Sequence, residues 1–250
     1  MLVVFRLLII LLCCVLLCFM CFVCLMFYLV DLCIHILEFT VNYFEMQIMA
    51  RDVDKRMLES ATEYVDAILD CHSKIEAVRI DLAYTKECSR DVSLERLSED
   101  LTHLLANRRG KPSVFGGMVG YMIKSEYAES KGAHAHALFF YDGNKVCKGA
   151  YKANQIGEYW RQNITAGDGL FHNCNMNMGR YDKCGIGRVD YSDEDKISVL
   201  KDQVVGYMCK SDQDIGAIKQ TGRERAFRRG VLPKRKSNAG RPRGNGGEVG

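Results

Sequence analysis

The sequence predicts an α+β fold in which an antiparallel sheet carries helices on one face, preceded by an apolar N-terminal helix. Some short stretches alternate apolar and polar residues, and some longer ones repeat apolar residues at helical spacing. A third observation is the uncharged run of 24 residues from Leu7 to Val30 in a chain of 250. The hydrophobic content of 48% excludes an intrinsically disordered protein.

The alternating stretches predict strands, because successive side chains of a strand point to opposite faces. Strands are predicted at 77–85, 115–129 and 134–143, with further short ones within the Gly- and Asn-rich stretch 168–191. The second and third of these strands flank a glycine-bearing turn, which is typical of an antiparallel hairpin.

Helices are predicted at 51–73, 93–108, 150–164 and 192–210. The second of these opens with Ser93 as an N-cap, and its leucines form one stripe. The last opens with a Ser-x-x-Asp capping box at Ser192. From 77 onward the order is strand, helix, strand, strand, helix, strand and helix, which is typical of a ferredoxin-like arrangement.

Charge is distributed unevenly along the chain, although the net charge is only +3. The middle of the chain is mildly acidic, whereas residues 219–243 carry ten Lys and Arg against one Glu. We therefore divide the chain into four parts, which are an apolar segment (1–30), a helical linker (31–74), a globular domain (75–215) and a basic disordered tail (216–250).

The apolar segment has two interpretations. A helix of 24 residues is about 36 Å long, enough to cross a hydrocarbon core of about 30 Å, so residues 7–30 predict a single-pass membrane association. The other interpretation is an upstream start codon, in which case residues 1–50 are not native. A signal peptide is disfavoured, because the run is too long and no small-residue cleavage site follows it.

The cysteines indicate a reducing, cytoplasmic setting. Six of the twelve lie in or near the apolar segment, and the others are scattered without any Cys-x-x-Cys pair. A zinc site formed by His172, Cys174 and Cys184 is an alternative, but the spacing offers no obvious fourth ligand.

The strongest chemical signal is the pair His134 and His136, two residues apart in a predicted strand and so on one face. Antiparallel pairing across the hairpin places Glu126 opposite one of them, on the same face. Two imidazoles and a carboxylate predict a site for Mg²⁺ or Mn²⁺ that polarises a phosphate oxygen. The alternative is an edge strand with two ordinary histidines.

A candidate nucleophile lies on the last predicted helix. Tyr207 and Lys210 are three residues apart and share one face of that helix. A tyrosine hydroxyl attacks a phosphodiester when its proton is removed and a cation lies nearby, and Lys210 supplies such a cation. The alternative is a half-buried core tyrosine.

A strand with His-x-His followed by a helix with Tyr-x-x-Lys resembles the motif set of the HUH endonucleases. Longer blocks, among them GMVGYMIKSEYAESKGAHAHALFFYDGNKV and RYDKCGIGRVDY, resemble the inovirus-type replication protein family, also known as the YagK/YfjJ C-terminal domain. That family is common in bacterial prophages. The resemblance covers roughly 75–243 and is strongest at 107–147 and 151–191.

The resemblance implies a HUH-type fold and a rolling-circle replication initiator that nicks and rejoins single-stranded DNA. It assigns the metal to His134, His136 and Glu126. It makes Tyr207 the catalytic nucleophile, which forms a 5′-phosphotyrosine and frees a 3′-OH for the host replication machinery. Lys210 then orients the substrate or stabilises charge.

The basic tail predicts DNA binding whose affinity falls steeply with salt. Its final SNAGRPRG resembles the Gly-Arg-Pro core of an AT-hook. The residues assigned to DNA are Arg223, Arg225, Arg228, Arg229, Lys234, Arg235, Lys236, Arg241 and Arg243.

The expected partner is thus a single-stranded or supercoiled origin. Two other hypotheses remain open at this point. One is a non-catalytic DNA-binding protein of prophage origin, and the other is a membrane-anchored protein with a tethered DNA-binding domain.

Overall fold

The structure is a computed structural model, and it describes residues 53–180, 183–210 and 226–233. The predicted apolar segment and most of the basic tail lie outside these residues. Within the described part, no helix combines the length and the apolar character that crossing a membrane requires.

The fold is α+β, as the sequence predicts. The strands are β1 (Lys74–Tyr84), β2 (Met118–Ala128), β3 (Gly132–Asp142), β4 (Gly169–Asn173), β5 (Gly187–Asp190) and β6 (Phe227–Arg229). The first four helices are α1 (Lys55–Cys71), α2 (Leu94–Ala106), α3 (Pro112–Phe115) and α4 (Gly149–Tyr159), of which α4 continues as a π-helical segment (Trp160–Ile164). The last helix, α5, joins an α-helical part (Glu194–Val199), a π-helical part (Leu200–Val205) and a final turn (Gly206–Met208).

The six strands form one antiparallel sheet in the order β4-β1-β3-β2-β6, and β5 pairs with the other end of β1. Between β4 and β5, Asn175 fills the gap along β1. Its side chain accepts from the backbone N–H of Arg79 (2.8 Å) and donates to the carbonyl of Ala77 (3.0 Å). This contact fixes the part of β1 that carries Arg79.

Helices cover both faces of the sheet, so the prediction of helices on one face is wrong. One core lies between the sheet and α2, α3 and α4, and it contains Leu97, Phe139 and Trp160. The other lies between the sheet and α1 and α5, and it contains Tyr64 and Phe140. Phe139 and Phe140 are neighbours in β3, and their opposite directions show that this strand is apolar on both faces.

Two predicted boundaries also change. Helix α1, which falls in the predicted linker, buries Ala61, Tyr64 and Ile68 against the sheet, so the folded domain begins before residue 75. Strand β6 falls in the predicted disordered tail, yet it pairs with β2. Neither change is visible from charge or composition, because both segments are rich in charged residues and still present apolar side chains to the core.

The caps of the helices are partly as predicted. Ser93 accepts from the backbone N–H of Arg96 (3.1 Å) and caps α2. Helix α5 is capped by Asp193, which accepts from the N–H of Lys196 (3.0 Å), whereas Ser192 donates to Asp190 (2.9 Å). The N-cap of α5 therefore lies one residue later than the sequence predicts, and Lys196 stands at N3, where a capping box requires an acidic or amide side chain.

Glu76 in β1 is only 3% exposed, and it leads to a prediction about stability. One of its oxygens accepts from the N–H of Gly149 at the start of α4 (3.0 Å), and the other makes no hydrogen bond. Burial raises the pKa of Glu76, which the Gly149 bond only partly offsets. Glu76 ionises at a lower pH in the unfolded chain than in the folded one. The free energy of unfolding therefore falls as the pH rises from the pKa of Glu76 in the unfolded chain to its pKa in the folded chain.

We expect Glu76→Gln to reduce this fall between pH 4 and pH 8, measured by urea unfolding at several pH values. Glu63→Gln, on the exposed side of α1, is the matched control and should keep the wild-type pH profile. A Glu76→Gln profile that follows the wild-type curve would contradict the prediction.

Candidate metal and tyrosine site

The two histidines and the glutamate meet at one end of the β2–β3 hairpin. His134 and His136 lie in β3, and Glu126 in β2 is the register partner of His134. The hairpin turn depends on Gly132, whose φ of +71° favours glycine. A Cβ at this position would also collide with the backbone carbonyl of Ser89.

The imidazoles turn one nitrogen each towards the glutamate. Glu126 Oε2 lies 3.7 Å from His134 Nε2 and 3.4 Å from His136 Nε2. The other nitrogens are engaged, because His134 Nδ1 is 3.0 Å from the Gly132 carbonyl and His136 Nδ1 is 2.6 Å from Asp81 Oδ1. Because Nδ1 of each ring is engaged elsewhere, Nε2 is the atom that both rings present towards Glu126 and to a metal ion.

This donor set fits a divalent metal ion. One ligand atom from each of Glu126, His134 and His136 lies within 4.8 Å of the others, and both histidines are buried. Within the described part of the chain, no other group of three such residues comes together, so His172, Cys174 and Cys184 do not form the alternative zinc site. Two imidazoles favour Mn²⁺ over Mg²⁺, because Mg²⁺ prefers an all-oxygen shell.

Asp81 is a site residue that the sequence analysis missed. It lies in β1, where it is the register partner of His136, and its carboxylate holds the ring nitrogen that faces away from Glu126. Histidines that bind metals commonly donate their second nitrogen to such a carboxylate, which fixes the tautomer and the ring orientation. The signal in the sequence is its place beside Arg79 on the polar face of the alternating stretch 77–85.

The carboxylates and His136 support each other electrostatically. Burial alone would lower the pKa of His136, but the hydrogen bonds with Asp81 and Glu126 raise it above its ordinary value. The same contacts overcome burial and hold the pKa values of Asp81 and Glu126 below their usual range. Burial, together with the nearby His136 charge, lowers the pKa of His134.

Helix α5 brings Tyr207 onto this group. The ring of Tyr207 lies 5.3 Å from that of His136, centroid to centroid, in an edge-to-face arrangement. Lys210 follows the helix and places its Nζ 4.9 Å from the centroid of the Tyr207 ring. The structure therefore brings together all five residues that the sequence assigns to metal binding and catalysis.

Arg79 is the second residue that the sequence analysis missed. Its guanidinium lies 4.7 Å from the centroid of the Tyr207 ring, and its Nε is 3.9 Å from Asp81 Oδ1. Burial and the charge of Glu126 raise the pKa of Tyr207 above its ordinary value. The charge of Arg79 and its hydrogen bond with Tyr207 offset only part of this rise. Arg79 and Asp81 share one face of β1 because they are two residues apart.

A buried lysine fixes the end of α5 against the sheet. Lys124 in β2 is fully buried and donates from Nζ to the backbone carbonyl of Lys210 (2.8 Å). Its register partner in β3 is His136. A charged donor at the carbonyl end of a helix is favourable, and here it determines where Tyr207 lies relative to His136.

The predicted DNA-binding arginines that fall within the described residues make contacts inside the domain. Arg228 donates to Thr102 Oγ1 (3.0 Å) and to Ser98, and Arg229 donates to Ser60 Oγ (3.0 Å). These two residues therefore belong to the fold rather than to a disordered tail. The other predicted DNA contacts lie outside the described residues; they are Arg223, Arg225, Lys234, Arg235, Lys236, Arg241 and Arg243.

We expect Asp81→Asn to weaken Mn²⁺ binding by about 10–100-fold, since the variant loses the charge that orients His136. Isothermal titration calorimetry of the full-length protein measures this directly. Asp91→Asn, an exposed carboxylate in the loop before α2, is the control and should bind as the wild type does. Equal affinities for Asp81→Asn and the wild type would exclude Asp81 as the orienting group.

Comparison with known proteins assigns the chain to a family. Residues 40–230 match the family model described as the YagK/YfjJ C-terminal domain. No curated protein and no solved structure matches the chain. The matched stretch covers more than half of the 250 residues and includes every residue of the site. The chain therefore belongs to the YagK/YfjJ C-terminal domain family.

Proposed function

We propose that this protein is a metal-dependent endonuclease that nicks and rejoins single-stranded DNA through Tyr207, in phage-type replication initiation. The observation that carries the proposal is the position of Tyr207 against the candidate metal ligand His136, at 5.3 Å between ring centroids. The resemblance of the two motifs to those of the HUH endonucleases supports the same function.

In the proposed reaction, the phenolic oxygen of Tyr207 attacks the phosphorus of one phosphodiester. A P–O bond to Tyr207 forms, and the bond between phosphorus and the 3′-oxygen breaks. The phenolic proton leaves, and the departing oxygen takes up a proton to become a free 3′-OH. Attack of a 3′-OH on the 5′-phosphotyrosine reverses these changes and rejoins the strand.

The side chains around Tyr207 have complementary roles. Arg79 and Lys210 place two positive charges against its ring, where they stabilise the developing phenolate and the phosphate. His134, His136 and Glu126 would hold a divalent ion, which polarises a non-bridging phosphate oxygen when bound. Asp81 and Lys124 position His136 and the end of α5.

The wider proposal extends to the setting of the reaction. The proposal assigns the domain a HUH-type, ferredoxin-like arrangement, which the antiparallel sheet with its His-x-His strand supports. The substrate is an origin in single-stranded or supercoiled form, and the freed 3′-OH serves the host replication machinery of a bacterium carrying a prophage. The basic tail adds affinity for DNA in the cytoplasm, and residues 7–30 tether the protein to a membrane if that segment is native.

We expect Tyr207→Phe to abolish nicking of a single-stranded origin oligonucleotide and the covalent protein–DNA adduct, both visible on a denaturing gel with Mn²⁺. The reason is that Phe lacks the attacking oxygen. Tyr151→Phe, at a tyrosine that is 60% exposed on α4, is the control and should retain both activities. An unchanged adduct in Tyr207→Phe would remove Tyr207 from the mechanism. DNA binding by the wild type without nicking would favour the non-catalytic alternative.

We expect Arg79→Met to lower kcat for nicking by about 100-fold, with a smaller change in KM, because one preorganised charge is lost from the transition state. Arg79→Lys should recover part of the rate by restoring the charge. Arg188→Met, at an exposed arginine of β5, is the control. If Arg79→Met and Arg188→Met nick at the same rate, Arg79 does not act on Tyr207.

A further inference from the structure

A groove of about 980 Å³ lies between the edge strand β6 and helix α2. Its walls are formed by the exposed side of α2, by Tyr121 of β2 and by residues 227–232. We call this feature the β6 groove. The volume is at the upper end of the range of about 300–1,000 Å³ that holds small molecules, and the groove is open to solvent along Arg108 and Leu232.

The lining of the β6 groove is cationic and aromatic. On the α2 side of the sheet it includes Arg108, Arg228 and the ring of Tyr121, whereas Phe227 and Arg229 line it from β6 and turn their side chains to the opposite face. None of the described residues that line it is acidic. Grooves that bind single-stranded nucleic acids combine positive charge for the phosphates with aromatic rings for the bases.

The cations of the β6 groove are held in place. Arg108 lies with its guanidinium 5.0 Å from the centroid of the Tyr121 ring and donates to the carbonyl of Leu105 (2.8 Å). Arg228 is fixed by the hydroxyls of Ser98 and Thr102 in α2. Side chains that are already ordered lose less entropy when a ligand binds.

The β6 groove also lies close to the candidate active site. Phe227 is the register partner of Lys124, and Lys124 is the register partner of His136. Two strand spacings separate Phe227 from His136, which is a distance of about 10 Å. A single strand bound near Tyr207 can therefore reach the β6 groove by crossing the edge of the sheet.

We propose that the β6 groove binds the single-stranded DNA that flanks the cleaved phosphodiester. The position of this DNA next to a cleaved phosphodiester rests on the proposed function, whereas the binding of a single strand in the groove does not. The ring of Tyr121 beside Arg108 and Arg228 favours nucleic acid over an acidic peptide, which would use the arginines alone.

The test measures binding without cleavage. Full-length protein is titrated against a fluorescein-labelled (dT)12 oligonucleotide in EDTA, and anisotropy is followed at several salt concentrations. We expect Arg108→Ala to weaken binding about tenfold and to lower the salt slope by about 0.7, as the loss of one phosphate contact predicts. Tyr121→Leu should weaken binding about fivefold or more, because a stacking ring is lost.

The matched control is Arg109→Ala, an exposed arginine adjacent to Arg108 that does not line the groove. It should bind within twofold of the wild type. Equal losses in Arg108→Ala and Arg109→Ala would indicate general electrostatic attraction and would overturn the proposal. Binding of a labelled (Glu)12 peptide that depends on Arg108, without such dependence for (dT)12, would make the groove a peptide site and would also overturn it.

Binding in EDTA separates this proposal from the proposed function. Since no cleavage takes place there, a (dT)12 affinity that depends on Arg108 and Tyr121 but not on Arg109 supports the groove even if nicking is never observed. Photo-crosslinking of a 5-bromouracil oligonucleotide to peptides that contain Tyr121 or Phe227 would locate the strand. Crosslinks found only outside residues 105–121 and 227–232 would contradict the proposed location even if nicking is observed.

Discussion

The register between β1, β3 and β2 is the constraint on which the site depends. It aligns Asp81, His136 and Lys124 in one row across three strands. A slip of one residue would turn every side chain of the slipped strand to the opposite face of the sheet. The histidines would then point into the apolar core under α2. Phe139 and Phe140, on opposite faces of β3, resist such a slip because each fits a different core.

The contacts made by this row explain how several ionisable side chains are tolerated inside the sheet. Buried charges are costly unless each has a partner, and here each charged group has one. Asp81 and Glu126 compensate the charge of His136, and Lys124 finds a backbone carbonyl at the end of α5. This mutual dependence also preorganises the site, because no member can move without leaving another unpaired.

The sequence predicts what depends on neighbouring residues and misses what depends on distant ones. The pairing of Glu126 with His134 follows from a short hairpin, so alternation alone places both on one face. Asp81 lies 55 residues from His136, and no local pattern shows that β1 pairs with β3. The sequence prediction of helices on one face fails for a similar reason, since an apolar stripe on a helix does not indicate which side of a sheet that helix covers. Arg228 and Arg229 were assigned to a solvated tail because a count of charges does not distinguish free arginines from those that support a strand.

The direction of the Tyr207 side chain depends on a π-helical turn that the spacing of apolar residues in the sequence does not reveal. The π-helical part of α5, Leu200–Val205, widens one turn of the helix by one residue. Each residue of an α-helix advances by about 100°, so one extra residue rotates everything that follows by about that angle. In a regular helix the side chain of another residue would occupy the direction that Tyr207 takes towards His136. Since β1 supplies Arg79 to the tyrosine and Asp81 to the histidine, the strand and the widened turn together determine the distance between the candidate nucleophile and the candidate metal ligands.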